Sequence, residues 1–144
     1  WHQDNIYGEL SPYNAISCLT ALDDSTLENG CTWLIPRSHK QGQIEYSYTS
    51  QEKSVQKDVD LAVDESESVP LVLKAGECAF LHCHILHRGG SNKSTRHRRL
   101  IFTRYADADA VEVHQDRRPR LGRLLRGSTR FDEVDRYDSE LPLV

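Results

Sequence analysis

Apolar residues in this chain come only in short runs cut off by turn residues, a pattern that points to β structure. Residues 14–22 (NAISCLTAL) end at Asp23-Asp24, and 31–35 end at Pro36. Further runs occupy 69–74 (VPLVLK), 78–87 (CAFLHCHILH) and 98–105 (RRLIFTRY). All are of strand length and bounded by turn signals, which predicts an all-β sandwich or barrel. Pro36 cannot donate to a ladder and should stop its strand. The turn at Ala75-Gly76 predicts that 69–74 and 78–87 pair as a hairpin. Between these runs, 41–68 is polar, with one helical turn expected near 55–61. Loops this long inside a domain are usually functional or mobile.

The 144 residues fit one domain. Its core is expected over 1–105, with 106–144 as an irregular tail packing on it. That tail opens acidic, carries six arginines between Arg117 and Arg130, and turns acidic again from Asp132 to Glu140. The net charge of −4 gives no global attraction to nucleic acid or membranes. The arginines lack the aromatic interleaving of single-strand binders. No apolar run approaches the ~20 residues of a membrane span, and no signal peptide is visible. Cys18, Cys31, Cys78 and Cys83 form neither a CxxC pair nor a dense framework, so reduced thiols and a cytoplasmic location are expected. The chain opens at Trp1 and contains no methionine, which points to a piece of a longer product.

Two histidines and a carboxylate could form a metal centre. His2 and Asp4 are two apart, so on a strand both side chains project to one side. The third donor would be His87, brought across by the fold. Two imidazoles and one carboxylate on one face of an ion suit Fe(II) and leave positions open for reactants. An HxD triplet alone is weak, and His114-Gln115-Asp116 is a second copy, expected in a solvated loop because no histidine follows it. Along 78–87, alternation places Leu81, Cys83, Ile85 and His87 on one face and His82 and His84 on the other. A satisfied core histidine is the competing account of His87. Zinc held by His82, Cys83, His84 and His87 is disfavoured because Cys83 should face away from His82 and His84.

Farther on, alternation groups Arg98 with Leu100, Phe102 and Arg104. An inward cation needs an anion, and a guanidinium pairs with a carboxylate in a two-pronged way. The competing account is a surface arginine within Arg96-His97-Arg98-Arg99.

With these residues in hand, the chain resembles the phytanoyl-CoA dioxygenase (PhyH-like) family of Fe(II)/2-oxoglutarate oxygenases. The resemblance lies in WHQD (1–4), LSP (10–12), ALDD (21–24), ENGC (28–31), IPRSHK (35–40), AGE (75–77), LHRGGSNKS (86–94) and Arg98. It implies a mainly β, double-stranded β-helix (jelly-roll) core. His2, Asp4 and His87 would hold Fe(II), and Arg98 would grip the far carboxylate of 2-oxoglutarate. O2 would be the second cosubstrate, and Asn92 and Ser94 would lie in the loop that shapes the site. The implied reaction is hydroxylation of a small organic substrate, since the presence of Asp4 disfavours halogenation. Substrate choice is expected in 41–68 and a monomer is slightly favoured. The rival is a non-catalytic jelly-roll binding module or an inactive fragment of such an enzyme.

The sequence departs from the family pattern at Arg37 and Arg88, where glycine is usual, at Gly89, where serine is common, and at Leu19, where tryptophan is common. The family also has a substantial segment before its HxD motif, so weak iron affinity is expected of the isolated 144 residues.

Overall fold

A computed structural model of the chain describes residues 1–4, 10–44, 63–113 and 117–142. Among these residues eight short strands run in order: β1 (Leu10–Ser11), β2 (Ile16–Ala21), β3 (Thr32–Leu34), β4 (Val69–Leu71), β5 (Cys78–His82), β6 (His87–Gly89), β7 (Leu100–Tyr105) and β8 (Val111–Glu112). Among the described residues one α-helix, α1 (Asp132–Glu140), follows. All pairings between these strands are antiparallel. They form sheets of order β5-β2-β7 and β4-β3-β6, with β1-β8 as a small ribbon.

Alternation along β2 builds the core. Ser17, Leu19 and Ala21 are buried there, paired opposite Arg104, Phe102 and Leu100 of β7. Leu19, Leu81 and Ile85 then pack with Leu34, Leu71 and Leu100, contributed by both sheets and the turn between β5 and β6. Each buried leucine or isoleucine contributes about 1.5–3 kcal/mol.

The expected hairpin of 69–74 with 78–87 does not form. β4 pairs with β3 in one sheet, and β5 pairs with β2 in the other. The intervening residues cross between sheets beside the β2–β3 connection, where Ser25 and Leu73 exchange backbone hydrogen bonds of 2.7 and 3.0 Å. Two antiparallel chains passing together from sheet to sheet are the winding of a jelly roll. A local turn signal cannot distinguish this crossing from a hairpin, because both need the same reversal at Ala75-Gly76.

Nor is 78–87 one strand. β5 stops at His82, the chain turns at Cys83-His84, and it re-enters the other sheet at His87. Alternation therefore fails across the turn: His84, expected to face outward, is 5% exposed. Beyond β7, the described residues include β8 and α1. Asp132, Glu133 and Asp135 occupy the first turn of α1 and complement its dipole, and Val134 is buried. Arg120, Arg123 and Arg130 pair with Glu112, Asp138 and Asp109. The expected helical turn near 55–61 and the second HxD copy at 114–116 lie outside the described residues. Among the described residues, no helix is long and apolar enough to cross a membrane. All four cysteines are unpaired.

One glycine is demanded by a close approach. Gly30 has φ +83°, and a Cβ there would collide with the carbonyl oxygen of Gly90, next to the loop carrying Asn92 and Ser94. Gly30→Ala is expected to destabilise by about 2–4 kcal/mol, from left-handed backbone strain plus the collision. Chemical denaturation measures this, and a change under about 1 kcal/mol contradicts the packing described.

Candidate metal centre

The fold brings the three separated residues together. His87 opens β6, and His2 lies beside it as an antiparallel bridge with two backbone hydrogen bonds of 3.0 Å. Asp4 Oδ1 then lies 3.3 Å from His87 Nε2 and 3.9 Å from His2 Nε2. The two imidazole rings are 4.2 Å apart between centroids. One donor atom from each residue lies within 4.8 Å of the others. Ligands about 2 Å from one ion and at right angles to each other are roughly 3 Å apart, so this grouping is on the scale of a shared cation.

His87 and Asp4 are each oriented by a second group. His87 Nδ1 donates to the Ile85 carbonyl at 2.9 Å, so in the neutral ring it is Nε2, facing Asp4, that carries the lone pair. Ser17 Oγ donates to Asp4 Oδ2 at 2.6 Å, turning Oδ1 toward the histidines. Arg104 donates to the Asp4 carbonyl at 3.2 Å. Burial pushes the Asp4 carboxyl up, but the hydrogen bond and charge that the His87 ring supplies when it carries a proton on both nitrogens, together with Ser17 and Arg104, outweigh it and bring it down to about 2. The carboxylate is therefore ionised throughout the neutral range.

Gln3, between the two HxD donors, points the other way and is fully buried. Its Nε2 donates to the carbonyls of His84 and Gly42 at 2.8 and 2.9 Å, and its Oε1 accepts from Ile44 N–H at 3.0 Å. It ties the motif both to the turn before His87 and to the start of the polar excursion. Gln3, Ser17 and Arg104 had no assigned part in the sequence. The signal was present in alternation, which puts Gln3 opposite His2 and Asp4, and Arg104 on the face of Arg98.

Arg98 lies just before β7 rather than within it, and it is half-buried. Its neighbours pair outward, Arg96 with Glu28 at 2.7 Å and Arg99 with Asp23 at 2.8 Å. The Arg98 guanidinium has no hydrogen bond or ion pair among the described residues. Its Nη2 comes within 3.9 Å of where a Cβ on Gly89 would sit. Gly89 shares the face of His87 one strand repeat along, roughly 7 Å away. The Arg98 guanidinium, without a partner among the described residues, thus lies beside Gly89, two residues along β6 from His87.

Asn92 and Ser94 close their loop on itself. Asn92 Oδ1 accepts from the Ser94 N–H and hydroxyl, and its Nδ2 donates to the Arg96 carbonyl at 2.7 Å. Ser94 Oγ accepts from Arg96 N–H at 3.1 Å. These bonds shape the segment that leads to Arg98.

The turn at Cys83-His84 overturns one directional expectation. His82, Cys83 and His84 do not diverge: one donor atom from each lies within 4.8 Å of the others. Alternation holds only within a strand, and β5 has ended.

The family model for phytanoyl-CoA dioxygenase (PhyH) matches residues 1–100. A phytanoyl-CoA dioxygenase of Arabidopsis thaliana is 28% identical over 115 residues, covering 80% of this chain and 41% of that protein. Among solved structures, the non-heme monooxygenase ThoJ in its apo form superposes with a TM-score of 0.64 at 25% identity, covering 78% of this chain and 41% of that one. The epimerase SnoN, solved in complex with Fe3+, alpha ketoglutarate and nogalamycin RO, does so at 0.54 and 30% identity, covering 77% and 43%. The chain spans about two fifths of the length of these proteins.

Proposed function

Because the chain belongs to the phytanoyl-CoA dioxygenase family, we propose that His2, Asp4 and His87 hold an iron(II) ion and that Arg98 binds 2-oxoglutarate for hydroxylation of a small organic substrate. The observation that carries this reading is the approach of Asp4 to His87, far apart in the sequence, to 3.3 Å. The donor set fits the ion: two imidazoles and one ionised carboxylate on one side, with the remaining positions free for reactants. When bound, iron with 2-oxoglutarate and O2 supplies oxidation of a C–H bond to an alcohol, with succinate and CO2 as co-products.

The chain's own residues provide placement. Ile85 keeps the proton of His87 on Nδ1, so Nε2 can donate its lone pair without losing a proton. Ser17 and Arg104 keep Asp4 anionic and turned toward the imidazoles. Arg98 offers two parallel N–H donors to the far carboxylate of the cosubstrate, and a bidentate pair fixes direction as well as distance. Asn92 and Ser94 hold the loop that delivers it. Gly89 presents no side chain between His87 and Arg98.

The test is to purify the full-length protein, load it with Fe(II) without oxygen, and follow conversion of 2-oxoglutarate to succinate. One equivalent of bound iron and oxygen-dependent succinate formation are expected. A full-length protein that binds no iron, or binds it and forms no succinate even with candidate substrates present, is a jelly-roll binding module rather than an oxygenase.

A further inference from the structure

Beyond the iron site and its cosubstrate, we propose that His82, Cys83 and His84 form a second metal site, built for a borderline-soft ion such as zinc. Three consecutive residues cannot usually share an ion on a strand, because the middle one points away. Here β5 ends at His82 and the turn folds the three donors together. The Cys83 sulfur lies 3.7 Å from His82 Nδ1. A thiolate about 2.3 Å and an imidazole about 2.0 Å from a tetrahedral zinc are about 3.6 Å apart, so these two donors already have the required separation.

A second observation points to a missing partner. His84 is 5% exposed, and its Nε2 is buried without a hydrogen-bond partner among the described residues. Leaving such a nitrogen unsatisfied costs about 1–3 kcal/mol, and native interiors rarely tolerate it. Its ring stands edge-on to that of His82, 5.3 Å away, and is 5.3 Å from Tyr13. A bound ion on a ring nitrogen would fix the ring's orientation and give its free nitrogen a reason to be there.

The protonation states agree with this use. His82 Nδ1 accepts the backbone N–H of His84 at 3.1 Å, so it is the unprotonated nitrogen of that ring. Burial, followed by the charge of nearby histidines, pushes both His82 and His84 down, which favours the neutral, metal-binding form of each ring. Burial pushes the Cys83 thiol up, which argues against a free nucleophile. On binding, the metal–sulfur bond forms as the S–H bond breaks and the thiol proton leaves to solvent. Nδ1 exchanges its hydrogen bond for the metal. The fourth position falls to water, or to His39, whose ring is 5.4 Å from that of His82. A thiolate with imidazoles selects zinc over magnesium or calcium, which prefer oxygen.

The site would also brace the iron centre. The His84 carbonyl accepts from Gln3, which lies between His2 and Asp4 in the chain.

Sulfur makes the test independent of the iron site, because His2, Asp4 and His87 offer none. The metal-free full-length protein is titrated with cobalt(II), and the zinc-loaded protein is examined by X-ray absorption. A thiolate-to-cobalt charge-transfer band and a zinc shell of one sulfur with nitrogen neighbours are expected. Cys83→Ser should remove the band and His84→Ala should weaken cobalt at least tenfold, while Cys78→Ser leaves both unchanged. If Cys83→Ser does not fold, the zinc shell of the unaltered protein decides. A shell without sulfur, or a band that survives Cys83→Ser, overturns the proposal whatever happens to iron or succinate.

Discussion

Replacing His87 with alanine in the full-length protein is expected to abolish iron retention and lower succinate formation by about 10²-fold or more, beyond the roughly 10–100-fold usual for loss of a group that merely supports a ligand. His87 is the most constrained of the three donors: 5% exposed, held by Ile85 through Nδ1, and 3.3 Å from Asp4. Its backbone also exchanges both hydrogen bonds with His2, so alanine keeps the bridge and removes only the imidazole. The chain should therefore still fold, which circular dichroism checks. Asp4→Ala should reach the same endpoint by another route, because it removes the negative charge facing the two imidazoles and leaves the Ser17 hydroxyl without this acceptor. Turnover unchanged by either substitution would remove these residues from the site.

The second large effect is expected from Arg98→Ala, and it should separate cosubstrate from metal. Losing a two-pronged, charge-assisted pair in a half-buried site costs about 2–4 kcal/mol, or roughly 30- to 1,000-fold in the 2-oxoglutarate concentration needed for half-maximal rate. Iron affinity should change little, because Arg98 makes no described contact with His2, Asp4 or His87. Arg98→Lys keeps the charge but loses the fork, so it should recover only part of the deficit. Simultaneous loss of iron and of thermal stability would mean instead that Arg98 holds the fold together. The neighbouring Arg99 serves as the control: its two-pronged pair with Asp23 lies on the surface, and Arg99→Ala should leave the cosubstrate requirement unchanged.

Strand positions were legible because they depend on local pattern. The expected strand at 14–22 is observed as β2 and that at 31–35 as β3, each stopped near the acidic pair or the proline that marks its end. The grouping of Leu100, Phe102 and Arg104 on one face also holds, as their pairing with Ala21, Leu19 and Ser17 requires. Sheet membership was not legible. β4, β5 and β6 follow one another closely, yet successive strands lie in opposite sheets. Turn chemistry at Ala75-Gly76 and Cys83-His84 specifies that the chain bends, not which ladder it joins next. That choice rests on packing between distant strands.

The same division applies to function. From sequence alone come the residue types of both clusters, the HxD spacing, and the motif series that ties the chain to its family, since each is carried by identity and order. Only the tertiary structure decided that His2 pairs with His87 through the backbone, that Gln3 joins the motif to two other segments, and that Arg98, unlike its neighbours Arg96 and Arg99, has no ion pair among the described residues. It also gathered His82, Cys83 and His84, which strand alternation would have kept apart. Side-chain direction follows from sequence spacing while a strand lasts; once it ends, direction is set by how the turn packs against the rest of the fold.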